Sequence, residues 1–395
     1  MKNEKFVLSD GDGDFKEKVK IAIEEAIKII GRDMKKYESG NLYPAAYENG
    51  KYEAVLNADL KNHAWMEGFW PGQLWLAYEY TGDEKFKALA EKNVVDFAKR
   101  MEDNMLIDFH HDMGFLYVPS CVAAYKLTNS EFAKDVALSA AYSLSRRFRP
   151  RGEFIQSIGM ELDAKDYKFI IDTMLNIPIL FWASDVTGKE SYREKALKHA
   201  ETTRKYILRD DGSTYHHFMM DFETGGPKGG KTHQGVGDNS CWTRGHSWMI
   251  YGSALMYART GDESWIETFE TVTDYFLAHL PEDYIPHWDF AVLGTEDDDR
   301  DSSAGIIAAC GIMELANHVP CDSGKMPVYI KAAKKLILSA IQNCAISFES
   351  GNEGLLGRVI GSKPHGSVEA CAPYGDYFYL EALTRALHPW QPYWY

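Results

Sequence analysis

Apolar residues recur along this chain at helical spacing, and one helix–turn–helix phrase repeats. In 83–98, Phe86, Leu89, Ala90, Val94, Phe97 and Ala98 fall at i, i+3, i+4 intervals, which places them on one stripe of a helix. Segments 74–97, 180–203 and 254–277 each read as an apolar helix ending at Thr-Gly, followed by an acidic and then an aromatic residue that open a second helix. Gly82, Gly188 and Gly261 stand where a left-handed residue ends a helix, and Asn129 in a fainter copy at 123–144 tolerates the same backbone. The pattern predicts about twelve helices, near 14–36, 67–81, 83–101, 114–127, 130–148, 168–187, 190–208, 243–260, 262–280, 301–318, 327–347 and 375–387. These pair into six hairpins.

The connections decide between an open array and a closed one. Alternate connections, at 38–66, 102–113, 149–167, 209–242, 281–300 and 348–374, are long and rich in Gly, Trp, His and Asp. The Thr-Gly turns between them are short. An open solenoid would repeat its loops regularly. One tight rim and one elaborate rim instead predict an all-α fold, a six-hairpin toroid with its function in the long loops. Segments 213–225 and 284–290 alternate enough to form short β-hairpins in those loops. No linker divides the chain, so one catalytic domain over 1–395 is expected, with the polar stretch 1–12 as a flexible N-terminal segment.

Composition narrows the chemistry. The chain has 395 residues, 45% hydrophobic and 26% charged, which predicts a sizeable core and excludes disorder. Its formal net charge of −15, with no basic run, disfavours nucleic acid and anionic membranes as partners. A small substrate with one or two negative groups stays compatible, held by a local Arg or His. The aromatic share of 13% suits the faces of sugar rings, although it equally suits packing. No apolar signal region opens the chain and no stretch approaches ~20 apolar residues. The six cysteines are scattered without a C-x-x-C pair, so reduced thiols in a cytoplasmic protein are expected. As a separate expectation, the chain is a monomer or weak homodimer.

A few residues stand out as candidates. Asp172 in FIIDTMLNIPILFW is a lone carboxyl in an apolar helical stretch. Burial raises a carboxyl's pKa and makes it a proton donor near neutrality; capping a helix or pairing with an Arg is the alternative. Asp112 in DFHHDMGFLYVPSC precedes an apolar helix and reads as an N-cap. His110 and His111 are adjacent, a spacing that does not suit one metal ion, and no metal is expected. The densest polar cluster, 229–252, holds His233, Gln234, Trp242, Arg244 and His246 at the mouth of a helix. Arg244 could take a carboxylate in bidentate fashion and Trp242 could stack on a sugar. His216 could donate to a ligand or cap. Trp65 lies near the rim and Trp70 in the core. The terminal HPWQPYWY reads as a packed tail.

Together WMEGFWPGQLWLAYEYTGDEKF, HHDMGFLYVPS, FIIDTMLNIPILFWASDVTG, RDDGSTYHHF, KTHQG, CWTRGHSWMIYG, YIPHWDF, RDSSAGIIAACGI and GDYFYLEAL resemble the unsaturated glucuronyl hydrolases, glycoside hydrolase family 88, in family order over about 13–386. The resemblance implies an (α/α)6 barrel without metal or organic cofactor. It implies disaccharides, released from glycosaminoglycans by polysaccharide lyases, that carry a 4,5-unsaturated uronate. The residue matching Asp172 would protonate C4, water would add at C5, and the hemiketal would collapse to release the second sugar. Asp112 matches the family's second aspartate, assigned to positioning and charge stabilisation. His216, His233, Gln234 and Arg244 match the polar contacts around the sugar and water, and Trp65 and Trp242 match stacking walls; His246, from the polar cluster, is a further substrate-binding candidate.

The chain departs from the family at Ile158 and Tyr374, where Trp is usual. It also departs at His233 and in GSKPHGSVEACAPYGDY, where sulfate-tolerant streptococcal members carry Arg and a Ser/Ser/Lys set. Lys363 and His365 are the candidates to substitute. The departures favour unsulfated chondroitin- or hyaluronan-type disaccharides. Rival readings are an unsaturated rhamnogalacturonyl hydrolase, an inverting glycosidase on the same barrel, and a non-catalytic sugar-binding scaffold.

Overall fold

A computed structural model describes Leu8 and residues 12–56, 64–102, 110–160 and 163–395. The expected flexible stretch 1–12 lies almost wholly outside these residues. Outer helices are amphipathic, whereas inner ones are largely buried on every side. The outer set is α1 (Gly13–Asp33), α3 (Glu84–Glu102), α6 (Glu131–Arg146), α8 (Glu190–Ile207), α10 (Ser264–Ala278) and α12 (Met326–Asn343). The inner set is α2 (Phe69–Thr81), α4 (Met113–Tyr117) running on into α5 (Ala123–Thr128), α7 (Pro178–Thr187), α9 (Thr243–Thr260), α11 (Ser302–Ala316) and α13 (Pro373–Leu387). On α3 the predicted stripe Phe86, Leu89, Ala90, Val94 and Phe97 is buried while Val95 faces solvent.

The inner segments close a ring. α11 packs between α9 and α13, α13 reaches α2, α2 packs on the turn joining α4 to α5, α4 meets α7, and the turn before α7 lies on α9. This is an (α/α)6 barrel. The α4–α5 join is a π turn, Val118–Val122. Pro119 lacks the N–H that an α-turn needs there, and the Ser120 carbonyl in the widened turn accepts the Trp75 indole N–H at 3.0 Å.

Gly82, Gly188 and Gly261 end α2, α7 and α9 in the left-handed region, φ +67, +69 and +67°, and Asn129 does the same after α5 at 55°. These tight turns lead from inner to outer helices. Long connections return to the N-terminal ends of the inner helices, whose unsatisfied N–H groups give that rim partial positive charge.

Two local expectations need correction. Residues 168–187 are not one helix: the chain forms β5 (Lys168–Ile170), a 3-10 turn (Ile171–Leu175), and only then α7. β5 pairs with β6 (His217–Met220), which pairs with β7 (Pro227–Lys231), so a hairpin does form near 213–225. At 284–290 there are only isolated bridges, Trp242 to Asp289 and His287 to Arg300. An unpredicted hairpin, β1 (Leu42–Glu48) with β2 (Lys51–Leu56), also lies in a long connection, and β3 (Phe148–Arg149) pairs with β4 (Phe154–Ile155) in another. All six cysteines are free. No helix among the described residues is long and apolar enough to cross a membrane.

The barrel end away from the long loops is sealed by the C-terminal tail. Arg385 is buried between Glu314 and Glu381, each at 2.9 Å. The Trp394 indole donates to Glu381 at 3.0 Å and the Tyr395 hydroxyl to Glu314 at 2.8 Å. Arg385→Ala would leave two buried carboxylates without their cation. It should cost about 3–5 kcal/mol, read as a lowered thermal midpoint. A midpoint within a degree of the parent would show that the tail, not the cation, holds this end.

Candidate active site

Asp172 owes its position to a change of secondary structure. Phe169 and Ile170 pair with Phe218 and His217, and the Ile171 N–H donates to the His216 carbonyl at 3.0 Å. The chain then turns through Ile171–Leu175, and Pro178 opens α7. Asp172 is half-buried and its Oδ2 is buried without a hydrogen-bond partner. Burial, and then the negative charge of Asp112, push its pKa up to about 7, while Arg244 opposes them.

Asp112 sits at the N-cap position of α4, but its side chain makes no capping bond. It lies 3.2 Å from His110 Nδ1 and 3.6 Å from His111 Nε2, and it accepts from Asn176 Nδ2 at 3.4 Å. Burial alone would raise its pKa, but His111, His110 and Asn176 outweigh that and hold it below the ordinary carboxylate range. Two neighbouring carboxyls are thus driven in opposite directions, the pattern that separates a proton donor from a fixed anion.

Asn176 ties the two together, although nothing in the local sequence marks it as a site residue. Its Oδ1 accepts the Phe115 N–H at 2.9 Å, and its Nδ2 also reaches the Asp172 carbonyl at 3.2 Å. α4 can come this close because Gly114 has no side chain: a Cβ there would meet the Asn176 backbone at 2.3 Å. His111 is buried, its Nδ1 lies 2.7 Å from the Thr173 hydroxyl, and burial lowers its pKa to about 4.

His216 is buried against Trp242, ring centroids 4.6 Å apart. Its Nδ1 accepts the N–H groups of His233 and Gln234 at 3.0 and 3.2 Å, which leaves the proton on Nε2. Burial and neighbouring His217, His233, Arg244 and Lys168 keep the ring neutral. The His233 side chain is exposed and packs against His365 at 4.3 Å. Gln234 Nε2 donates to the Gly361 carbonyl at 2.7 Å.

Several expectations change here. Trp242 is 4% exposed and packs on His216 and Arg244, so it does not offer an open stacking face. Arg244 is 1% exposed, paired with Asp301, and donates to the Ile360 and Gly361 carbonyls, each at 2.5 Å. It is not an open carboxylate fork. His246 is buried in the core, with its ring nitrogens 3.1 Å from the Thr214 hydroxyl and 2.7 Å from the Val272 carbonyl, so it is a packing residue and not a ligand contact. Lys363 is neutralised by Asp299 and by Asp297 at 3.6 Å. Trp65 is half-buried and stacks on Tyr374 at 5.2 Å, while Trp70 is core as expected. Ile158 is half-buried and bridges His110 through the backbone. Among the described residues no three His, Cys, Asp or Glu side chains gather as they would around a metal ion.

The chain as a whole has relatives in sequence and in fold. The profile of Glycosyl Hydrolase Family 88 matches residues 28–374. An unsaturated chondroitin disaccharide hydrolase of Streptococcus pneumoniae is 39% identical over 380 residues, 96% of this chain and 94% of its own. The crystal structure of an unsaturated glucuronyl hydrolase from Bacillus sp. GL1, responsible for the degradation of glycosaminoglycan, is 38% identical. It superposes with a TM-score of 0.90 over 95% of this chain and 99% of that one. A variant of the Streptococcus agalactiae unsaturated glucuronyl hydrolase, solved with dGlcA-GalNAc6S, is 35% identical. Its TM-score is 0.84 over 99% of this chain and 95% of that one. By the length of the match and its agreement in fold, the chain belongs to glycoside hydrolase family 88.

Proposed function

We propose that this hydrolase removes a 4,5-unsaturated uronate from glycosaminoglycan disaccharides by hydrating the C4=C5 vinyl ether. The observation that carries the proposal is the half-buried carboxyl of Asp172, with its pKa near 7, beside an ionised Asp112. Protonating carbon demands a carboxylic acid that keeps its proton near neutrality. Asp172 donates that proton to C4, and the positive charge that develops at C5 and the ring oxygen faces Asp112. Water then adds at C5 and returns a proton to the Asp172 carboxylate. The resulting hemiketal opens and expels the second sugar.

His216, neutral with Nε2–H as donor, is suited to orient the water or a ring hydroxyl. Trp65 is the aromatic face left partly open for a sugar. The streptococcal relative bound to dGlcA-GalNAc6S places a sulfated disaccharide within the family's range. In this chain Asp297 and Asp299 neutralise Lys363, which favours unsulfated chondroitin- or hyaluronan-type substrates.

The test compares an unsaturated chondroitin disaccharide with its saturated counterpart. The unsaturated sugar should lose its enol-ether ultraviolet absorbance as the second sugar is released, and the saturated one should stay intact. Comparable cleavage of the saturated glucuronide would mean displacement at the anomeric carbon and would overturn hydration. Because the donor must be protonated, kcat/KM should fall as pH rises through about 7.

A further inference from the structure

Arg244 is the cation facing Asp172, and it is held from every side. A column of planar groups crosses the rim. Trp65 stacks on Tyr374 at 5.2 Å, Tyr374 covers the Arg244 guanidinium at 4.8 Å, Arg244 covers Trp242 at 4.6 Å, and Trp242 meets His216 at 4.6 Å. Behind the guanidinium lies Asp301, fully buried just before α11. One of its oxygens pairs with Arg244 and the other accepts the Ser303 hydroxyl at 2.5 Å. The proposed reaction gives Asp301 no part, although a carboxylate in that place costs desolvation unless its partner repays it.

We infer that Asp301 is a positioning residue for the proton transfer: it pins Arg244 between the two rings, so that the donor Asp172 faces a guanidinium already paired with another carboxylate. The inference rests on Asp172 as the donor. The charged and titratable groups facing Asp172 are Asp112, Arg244 and Tyr374; those facing Arg244 are Asp301, Asp172, Tyr374 and His216. Without Asp301, Asp172 becomes the carboxylate that Arg244 can take. A charge-assisted pair would then favour its ionised form and drain the proton the reaction needs. Asp301 also leaves Arg244 able to screen the repulsion between Asp172 and Asp112 without capturing either.

Asp301→Asn tests this. The alkaline limb of kcat/KM should move about one pH unit lower, and kcat at pH 7 should fall roughly tenfold with a smaller change in KM. Asp301→Glu, which restores the charge, should bring the limb back. The infrared band of the protonated Asp172 carboxyl, identified by its loss in Asp172→Asn, should titrate in step with the limb. That readout does not depend on turnover. If Asp301→Asn does not fold, Arg244→Met/Asp301→Leu removes both charges and leaves neither unpaired. In that variant the band should titrate at higher pH than in the parent, because the opposing cation is gone. A limb and band that stay at the parent pH, whatever happens to kcat, would reduce Asp301 to a packing role and overturn the inference. Turnover by Asp172→Asn would instead sink the donor assignment itself, so the two failures are distinguishable.

Discussion

Asp172→Asn should fold, bind the unsaturated disaccharide, and turn it over at least roughly 10³-fold more slowly than the parent. The amide keeps the shape of the side chain and has no acidic proton. The neighbours cannot stand in for the donor: Asp112 is held ionised, His111 is buried at a pKa of about 4, and His216 is kept neutral with its ring pinned by two backbone N–H groups. The same substitution carries a stability signature. The folded protein raises the Asp172 pKa above its ordinary 3.8, so folding favours the protonated form. The stability this gives is full below the ordinary value and is lost as pH rises through about 7. Asn cannot ionise. The variant should therefore gain on the parent as pH rises from acid to pH 8, by about 4 kcal/mol, which follows from ~1.4 kcal/mol for each pH unit separating the folded and ordinary values. The amide's own burial cost is the same at every pH and sets only the offset between the two proteins in acid. Thermal midpoints at pH 5 and pH 8 measure this. A midpoint difference that does not grow with pH would mean that the carboxyl is ionised throughout and cannot be the acid.

The barrel is legible in the sequence because its outer helices each bury one face. The stripe Phe86, Leu89, Ala90, Val94 and Phe97 fixes the facing of α3, and the left-handed residues Gly82, Asn129, Gly188 and Gly261 mark where the inner segments stop. The start of α7 is not legible. Phe169, Ile170 and Ile171 form a short apolar run, and such a run reads equally as a buried strand or as the first turn of a helix. Helix geometry argues against His246 as a ligand residue even without the fold. Two residues beyond Arg244 on α9 it projects about 200° around the axis, so the two cannot share the mouth. The partners of the site residues lie beyond any local pattern. Asn176 meets Asp112 and Phe115 from more than sixty positions away. Arg244 finds Asp301 across 57 positions. A residue type suggests what chemistry it can do, but only the closed ring determines whether a neighbour already occupies it.

Asp112→Asn should lose roughly 10²–10³-fold in kcat, and for two separable reasons. The first is the loss of a fixed negative charge facing the cation that develops at C5. Its stabilisation is large because both carboxyls sit away from bulk water. The second acts on the donor. Asp112 is one of the two causes that raise the Asp172 pKa, so neutralising it lets Arg244 pull that value down. Residual activity should then show its alkaline limb at lower pH than the parent, by about half a unit to one unit. The stability trend should run opposite to that of Asp172→Asn. The folded pKa of Asp112 is depressed, so its ionised form stabilises the fold above the ordinary 3.8 and that contribution disappears as pH falls through the depressed value. Asp112→Asn should therefore be less stable than the parent near neutrality and converge with it in acid. A fall in kcat with an unmoved limb would leave Asp112 as a charge stabiliser alone. A moved limb with kcat intact would make it only a tuner of Asp172. Both effects are expected together, because the same Asp112 charge that would face the developing cation also acts on the Asp172 carboxyl.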